Sequence, residues 1–301
     1  RQNDPVALAK AITMVENRKK DYQKLLEGIY PLPQKTLKIG ITGAPGSGKS
    51  SLIEKMIADL KSQGLSIAVL AVDPSSPLSG GALLGDRLRM IQHSNDPNVF
   101  IRSIANRGHL GGLSLSTHEI VDLLQAAGKE IIIIETVGVG QSEVDIVNVA
   151  DVVLMVLNPE SGDEIQIFKA GIIEIADIFV INKADLGGSD NKISEIRNYF
   201  ALSQRDPLIF PTSVKEGQGI SELLAGIRLF QQGESGRIRE KSEKMKANYI
   251  ERIVAERFQE EMRLDPGITA LLQNAGPANP FHLADKIVQK LKAGGSHDKK
   301  N

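Results

Sequence analysis

The stretch Leu37-Lys38-Ile39-Gly40-Ile41-Thr42-Gly43-Ala44-Pro45-Gly46-Ser47-Gly48-Lys49-Ser50-Ser51 decides how this chain is read. Leu37–Thr42 has the apolar, β-branched character of a buried strand. It runs straight into Gly43–Ser50, a full G-x-x-x-x-G-K-[ST] pattern, and a helical period follows. Strand, glycine loop and helix start, in that order, make an anion cradle. The glycines let the backbone approach and aim its N–H groups at phosphate oxygens, and the helix end adds partial positive charge. Lys49 is then placed to reach the β- and γ-phosphates, and the Ser50 hydroxyl to ligate Mg²⁺. Gly43, Ala44, Pro45, Gly46, Ser47, Gly48, Lys49, Ser50 and Ser51 are therefore the expected phosphate contacts. A related class of dimeric ATPases carries a second lysine after the first glycine; Ala44 occupies that position here and argues against that class.

Outward from this loop, short apolar runs recur: Ile67–Asp73, Val99–Ile104, Ile131–Thr136, Val152–Asn158, Ile178–Asn182 and Leu208–Thr212. They do not alternate polar with apolar, which suits strands of a parallel sheet covered on both faces. Helical stretches between them, at Ser50–Gln63, Ser114–Ala127, Asp163–Ile175 and Gly219–Phe230, serve as crossovers. The fold class expected is α/β, a doubly wound, mostly parallel sheet over residues 35–232, with ligands beyond the carboxyl ends of the strands. Residues 1–34 read as a helical extension closed by the linker Tyr30-Pro31-Leu32-Pro33. Residues 233–301 read as a second helical extension, with a stripe of Ile250, Val254, Phe258 and Met262 on Arg237–Leu264. Asp265-Pro266-Gly267 then reads as a break before a last helix at Pro280–Leu291.

A second motif lies at the end of the run Ile178–Asn182. In Asn182-Lys183-Ala184-Asp185 the carboxylate of Asp185 is suited to accept two N–H bonds from the guanine edge, whereas adenine would leave it unsatisfied. Lys183 is placed to lie along the base, and Asn182 either to bind the base or to tie the loop together. Ser213, Val214 and Lys215, at the end of the next run, resemble the loop that closes over guanine, with Val214 where alanine is usual.

The run Ile131–Ile134 leads into Glu135-Thr136-Val137-Gly138. Common GTPases have Asp-x-x-Gly here, so Glu135 takes the Mg²⁺-holding position and Gly138 the γ-phosphate-sensing one. Val139 stands where a water-orienting glutamine is found in Ras-like enzymes, and Gln141 lies two residues beyond. Slow intrinsic hydrolysis accelerated by a partner is expected. Asp73, at a strand end, and Asp86, in Gly85-Asp86-Arg87-Leu88-Arg89, are further candidates for the metal shell. Lys49, Asp86 and Glu135 are the expected catalytic side chains.

Composition sets outer limits. The 301 residues are 41% apolar and 24% charged with a formal net charge of -1, so no basic excess is available for nucleic acid. With no cysteine, disulfides, thiolate metal sites and cysteine nucleophiles are excluded. The longest apolar runs are far too short to span a bilayer, and residues 1–30 do not read as a signal peptide. His93, His109, His118, His282 and His297 have no metal-ligand spacing.

Taken together, Val72-Asp73-Pro74-Ser75-Ser76-Pro77, Gly85–Met90, Arg107-Gly108-His109-Leu110-Gly111-Gly112, Glu135–Glu143 and Asn182–Asp185 closely resemble the MeaB/ArgK family over roughly residues 5–230. The resemblance implies a cytoplasmic (in eukaryotes, mitochondrial-matrix) GTPase that binds GTP/GDP and Mg²⁺. It further implies a homodimeric chaperone of an adenosylcobalamin-dependent acyl-CoA mutase, usually methylmalonyl-CoA mutase, with the dimer made outside the GTPase core. It places Ser50, Asp73, Asp86 and Glu135 around Mg²⁺, a first switch at Asp73–Arg89, a second at Glu135–Glu143 including Gly138 and Gln141, and a further switch at Pro159–Lys169. Ile165-Gln166-Ile167-Phe168 departs from the family's usual Leu-Gln before Lys169. Competing readings are a small-molecule kinase, which Asp185 argues against; a metal-insertion GTPase, which should carry a His- or Cys-rich segment; and a non-hydrolysing scaffold.

Overall fold

The computed structural model describes residues 4–30, 35–74, 96–106, 115–136, 142–159, 172–201, 205–273 and 279–294. Outside them lie Pro31–Pro33, Asp86, Arg89, His93, His109, Gly138, Val139, Gln141, Lys169, His297 and all of the Asp163–Ile175 helix before Ile172; for Asp73 only the backbone is described.

Seven strands, β1 (Leu37–Thr42), β2 (Ile67–Pro74), β3 (Val99–Asn106), β4 (Ile131–Thr136), β5 (Val152–Leu157), β6 (Ile178–Asn182) and β7 (Leu208–Thr212), form one sheet in the order β3-β2-β4-β1-β5-β6-β7. Every pairing is parallel. β1 therefore lies at the centre, flanked by β4 and β5, and the chain winds away from it in both directions. That order is the doubly wound arrangement, whose ligand crevice opens at the carboxyl ends of the strands near the reversal.

Both faces of the sheet are covered, which explains the unbroken apolar runs. Ile39, Ile41, Ile67, Val69, Ile133, Leu154, Val156 and Val180 pack with α3 (Lys49–Ser62) and, later in the chain, α8 (Ile220–Gly233). The alternate residues Ala68, Leu70, Val72, Ile132, Ile134 and Val153 face the other way. They meet α1 (Pro5–Glu16), α2 (Tyr22–Ile29) and α4 (Leu115–Ala126). α5 (Ser142–Asp145) leads into a 3-10 turn at Ile146–Asn148. α6 (Ile172–Ile175) and α7 (Ser189–Phe200) cover Met155, Leu157, Phe179 and Ile181. A Cβ added at Gly40 would stand 2.7 Å from Ile146 Cγ1, so the missing side chain is what lets the 3-10 turn rest on β1. The N-terminal helices are pinned by charge as well. Arg102 of β3 donates to Glu16 at 3.0 Å and to Thr13 at 3.1 Å, and Arg18 pairs with the buried Glu119 of α4.

Among the described residues β7 is a sheet edge, paired with β6 alone, and it carries Pro211 opposite Ile181. α9 (Ser235–Leu264) begins two residues earlier than the pattern predicts. Three helices, the short α5 together with α7 and α10, are additional to those expected. α7 is polar apart from Ile193, Ile196 and Phe200. α10 (Pro266–Gln273) starts where a break is expected: Pro266 takes the first helical position, and the Asp265 carboxylate accepts the Gly267 and Ile268 N–H groups at 2.7 and 3.1 Å. α11 (Pro280–Gly294) sends Lys290 to the same carboxylate at 2.7 Å. The chain divides into two compact units, 1–245 and 246–301. Among the described residues no helix is long and apolar enough to cross a membrane.

Candidate functional site

Five strand ends bearing predicted residues, those of β1, β2, β4, β6 and β7, lie on one edge because all seven strands are parallel and in register. Ile41 of β1 and Ala71 of β2 both pair with Glu135 of β4, and Asn182 of β6 pairs with Thr212 of β7. At Gly43 φ is +141°, and a Cβ there would sit 2.2 Å from the Val156 carbonyl oxygen, so the turn out of β1 admits only glycine. Gly48, with φ +94°, is equally confined: its Cβ would meet Asn182 Nδ2 at 2.2 Å. The loop closes on itself through Ser47 N–H to Ala44 O at 3.2 Å. Lys49, 7% exposed, opens α3 and donates to the carbonyls of Gly43 at 2.7 Å and Ala44 at 3.1 Å. Its ammonium is thereby held within the curve of the loop.

Ser50 and Glu135, 85 residues apart in sequence, meet here: the hydroxyl donates to Glu135 Oε1 at 2.8 Å. Glu135 is 4% exposed. A hydroxyl beside a buried carboxylate is a hard-oxygen donor pair of the kind Mg²⁺ takes, and Mg²⁺ needs only one or two protein ligands when phosphates and water complete its shell. Among the described residues no three His, Asp or Glu side chains gather into a metal cage. Thr136 anchors the end of β4 by donating to the Ile41 carbonyl at 3.4 Å. The Ser47 and Thr42 hydroxyls are buried without a hydrogen-bond partner among the described residues, an arrangement that suits a loop awaiting anionic oxygens.

At the other end of the edge, the turn after β6 is made by Lys183 in the left-handed region, φ +61°. Asn182, 2% exposed, donates to the Ser47 carbonyl at 2.9 Å and accepts from the Thr212 hydroxyl at 3.3 Å. Of the two roles open to it, this geometry displays the tie between loops. Ser213 Oγ donates to Asp185 Oδ1 at 2.7 Å. That bond holds the Asp185 carboxyl below its ordinary range, with Lys215 and Lys183 acting in the same direction. Ser213 also accepts from the Glu216 N–H at 3.2 Å and forms a two-bond bridge with Gln218, while Val214 packs on the apolar cluster under α3 and α8. The strand-end hydroxyls Thr42, Thr136 and Thr212 belong to neither nucleotide motif. Their signal is a polar residue closing an otherwise apolar strand.

A phosphate loop and a guanine-type loop joined by one buried amide put the chain in the class of α/β P-loop GTPases. The family model described as "Methylmalonyl Co-A mutase-associated GTPase MeaB" matches residues 8–266, and the chain belongs to that family. A Pyrococcus horikoshii relative is 42% identical over 97% of this chain and 96% of its own length. The mouse protein named methylmalonic aciduria type A homolog, mitochondrial, is 35% identical over 95% of this chain and 76% of its own. A solved structure titled LAO/AO transport system kinase superposes with a TM-score of 0.68 at 27% identity, over 97% of this chain and 94% of that one.

Proposed function

We propose that this GTPase is a chaperone that regulates cofactor loading and protection of an adenosylcobalamin-dependent acyl-CoA mutase, methylmalonyl-CoA mutase being the first candidate. The observation that carries the nucleotide reading is the Asn182–Ser47 hydrogen bond of 2.9 Å, which makes phosphate loop and base loop one site. The family's description, which names methylmalonyl Co-A mutase, supports the choice of mutase.

In this reading Asp185 accepts from the guanine edge, with Ser213 orienting it and Val214 and Lys215 closing over the base. The loop 43–51 wraps the phosphates. Lys49 leaves its loop carbonyls for the phosphate oxygens and stabilises the charge that develops there during transfer. Ser50 and Glu135, with Asp73 and Asp86, would hold Mg²⁺, which would neutralise phosphate charge. Arg89, Gly138, Gln141 and Lys169 belong to switch segments, and Val139 in the water-orienting position leaves turnover slow until a partner completes the site. Residues 233–301 serve as the homodimer arm. The protein works in the cytoplasm, or in the mitochondrial matrix of a eukaryote.

Measuring GTP turnover with and without an adenosylcobalamin mutase from the same organism tests this. Slow turnover alone and at least about tenfold acceleration with the mutase are expected, a modest share of what partner-supplied groups give GTPases. Turnover that no such mutase changes overturns the chaperone role while leaving the GTPase intact. A small-molecule kinase should favour ATP, so a comparison of GTP and ATP affinities separates that reading.

A further inference from the structure

β6 bears the base loop at its carboxyl end and is preceded at its other end by a buried carboxylate. Asp177, 5% exposed, accepts the Val153 N–H of β5 at 2.9 Å. Two cations from the opening turns of α9 converge on it: Arg237 Nη2 reaches Oδ1 at 2.8 Å and Lys241 Nζ reaches Oδ2 at 3.4 Å. Lys241 also donates to the Asp151 carbonyl at 3.4 Å. Arg205 packs close by, its guanidinium 4.8 Å from the Phe200 ring centroid and bonded to the Glu174 and Ala176 carbonyls.

A carboxylate this deep is tolerated only while its charge is met, because removing one member of a buried pair strands the other. Docking of the α9 root is therefore close to all-or-none. The strand between the two ends has no slack. Ile178, Phe179, Val180 and Ile181 are fully buried and paired with β5 on one side and β7 on the other, and close-packed elements of this kind move as units. At the far end Asn182 grips the phosphate loop and Thr212.

We propose that Asp177 is a coupling residue: guanine-nucleotide occupancy at one end of β6 biases the docking of residues 235–245 at the other. These residues open the helix whose later turns belong to the second compact unit. By linkage, docking of the helix root changes nucleotide affinity by the same factor. The inference rests on the guanine-nucleotide reading of the site, and the test separates the two.

Hydrogen exchange is measured on the full chain with and without GDP and Mg²⁺, in the wild type, in Arg237→Ala/Lys241→Ala and in Asp177→Asn. GDP is expected to slow exchange in residues 235–245 by at least about fivefold, the lower end of typical couplings. In the double variant that difference disappears and the GDP Kd rises by about the same factor. Asp177→Asn keeps an acceptor for Val153 but loses the charge, and shows the same loss of response. If it does not fold, the double variant decides; Arg237→Ala alone, which leaves Lys241 to meet the Asp177 charge, is read in the same way if the double variant does not fold either. GDP binding with unchanged exchange at 235–245, or a double variant that binds GDP like the wild type, overturns the coupling. A wild type that binds no guanine nucleotide overturns the reading beneath it.

Discussion

Asp122 on α4 is a half-buried carboxylate outside the nucleotide site, and replacing it with asparagine has an expected effect on stability. Burial pushes its carboxyl up from 3.8 to about 6, while the Lys38 ammonium pulls the other way. That ammonium is already engaged, 3.1 Å from Asp151 Oδ1, and so offsets the burial only in part. The folded state therefore prefers the protonated carboxyl. Between about 3.8 and 6 the folded chain binds more protons than the unfolded one, so stability falls as pH rises through this window. Below it the group contributes no penalty; above it the penalty is complete. With a factor of ten per about 1.4 kcal/mol, the ionised group costs about 3 kcal/mol near pH 7.5 and roughly half of that near pH 5. Asparagine imitates the protonated form, so Asp122→Asn is expected to stabilise the nucleotide-free protein by those amounts. Urea unfolding of both proteins at the two pH values measures the difference. A variant less stable than the wild type near pH 7.5, or a gain that does not shrink on acidification, would refute the reasoning and mark Asp122 as a net favourable partner of Lys38.

Asp185→Asn should weaken GTP binding roughly 10–100-fold, the worth of hydrogen bonds to a charged acceptor, and favour xanthine nucleotides; competition with a fluorescent nucleotide reads both, and retained GTP affinity would sink the guanine assignment. Glu135→Gln keeps the size but removes the charge beside Ser50, so half-saturation of turnover by Mg²⁺ should rise by roughly tenfold, and an unchanged Mg²⁺ titration would remove Glu135 from the metal shell. Gly226→Ala places a Cβ 2.1 Å from Phe210 Cζ and should cost about 1–3 kcal/mol in chemical denaturation, since the ring is held between α8 and β7. A neutral result there would mean that Phe210 swings aside freely.

The strands were legible because burial on both faces removes polar residues almost completely, leaving runs such as Ile131–Ile134 that read only one way. The two nucleotide loops were legible for a different reason: each packs its chemistry into a few contiguous residues at fixed spacing. α7 escaped because its polar face outweighs three apolar residues, and α10 because Pro266-Gly267 looks like a break, although proline suits the first turn of a helix. Strand order, including the central place of β1, was not legible. The Ser50–Glu135 and Asp177–Arg237 contacts join residues 85 and 60 positions apart, and arise only from the register and crossovers of the sheet.

Pro211 has a bearing on how other molecules reach the nucleotide. A proline in an edge strand has no N–H to offer, and is accommodated with that missing donor turned outward. β7 therefore cannot complete a hydrogen-bonded ladder with an incoming strand beside Asn182. Strand addition, the route by which many domains capture peptides or aggregate with their own copies, is closed at the border next to the base loop. A molecule approaching there has to use side chains and loops, and two copies of the chain are hindered from pairing their sheets beside Asn182.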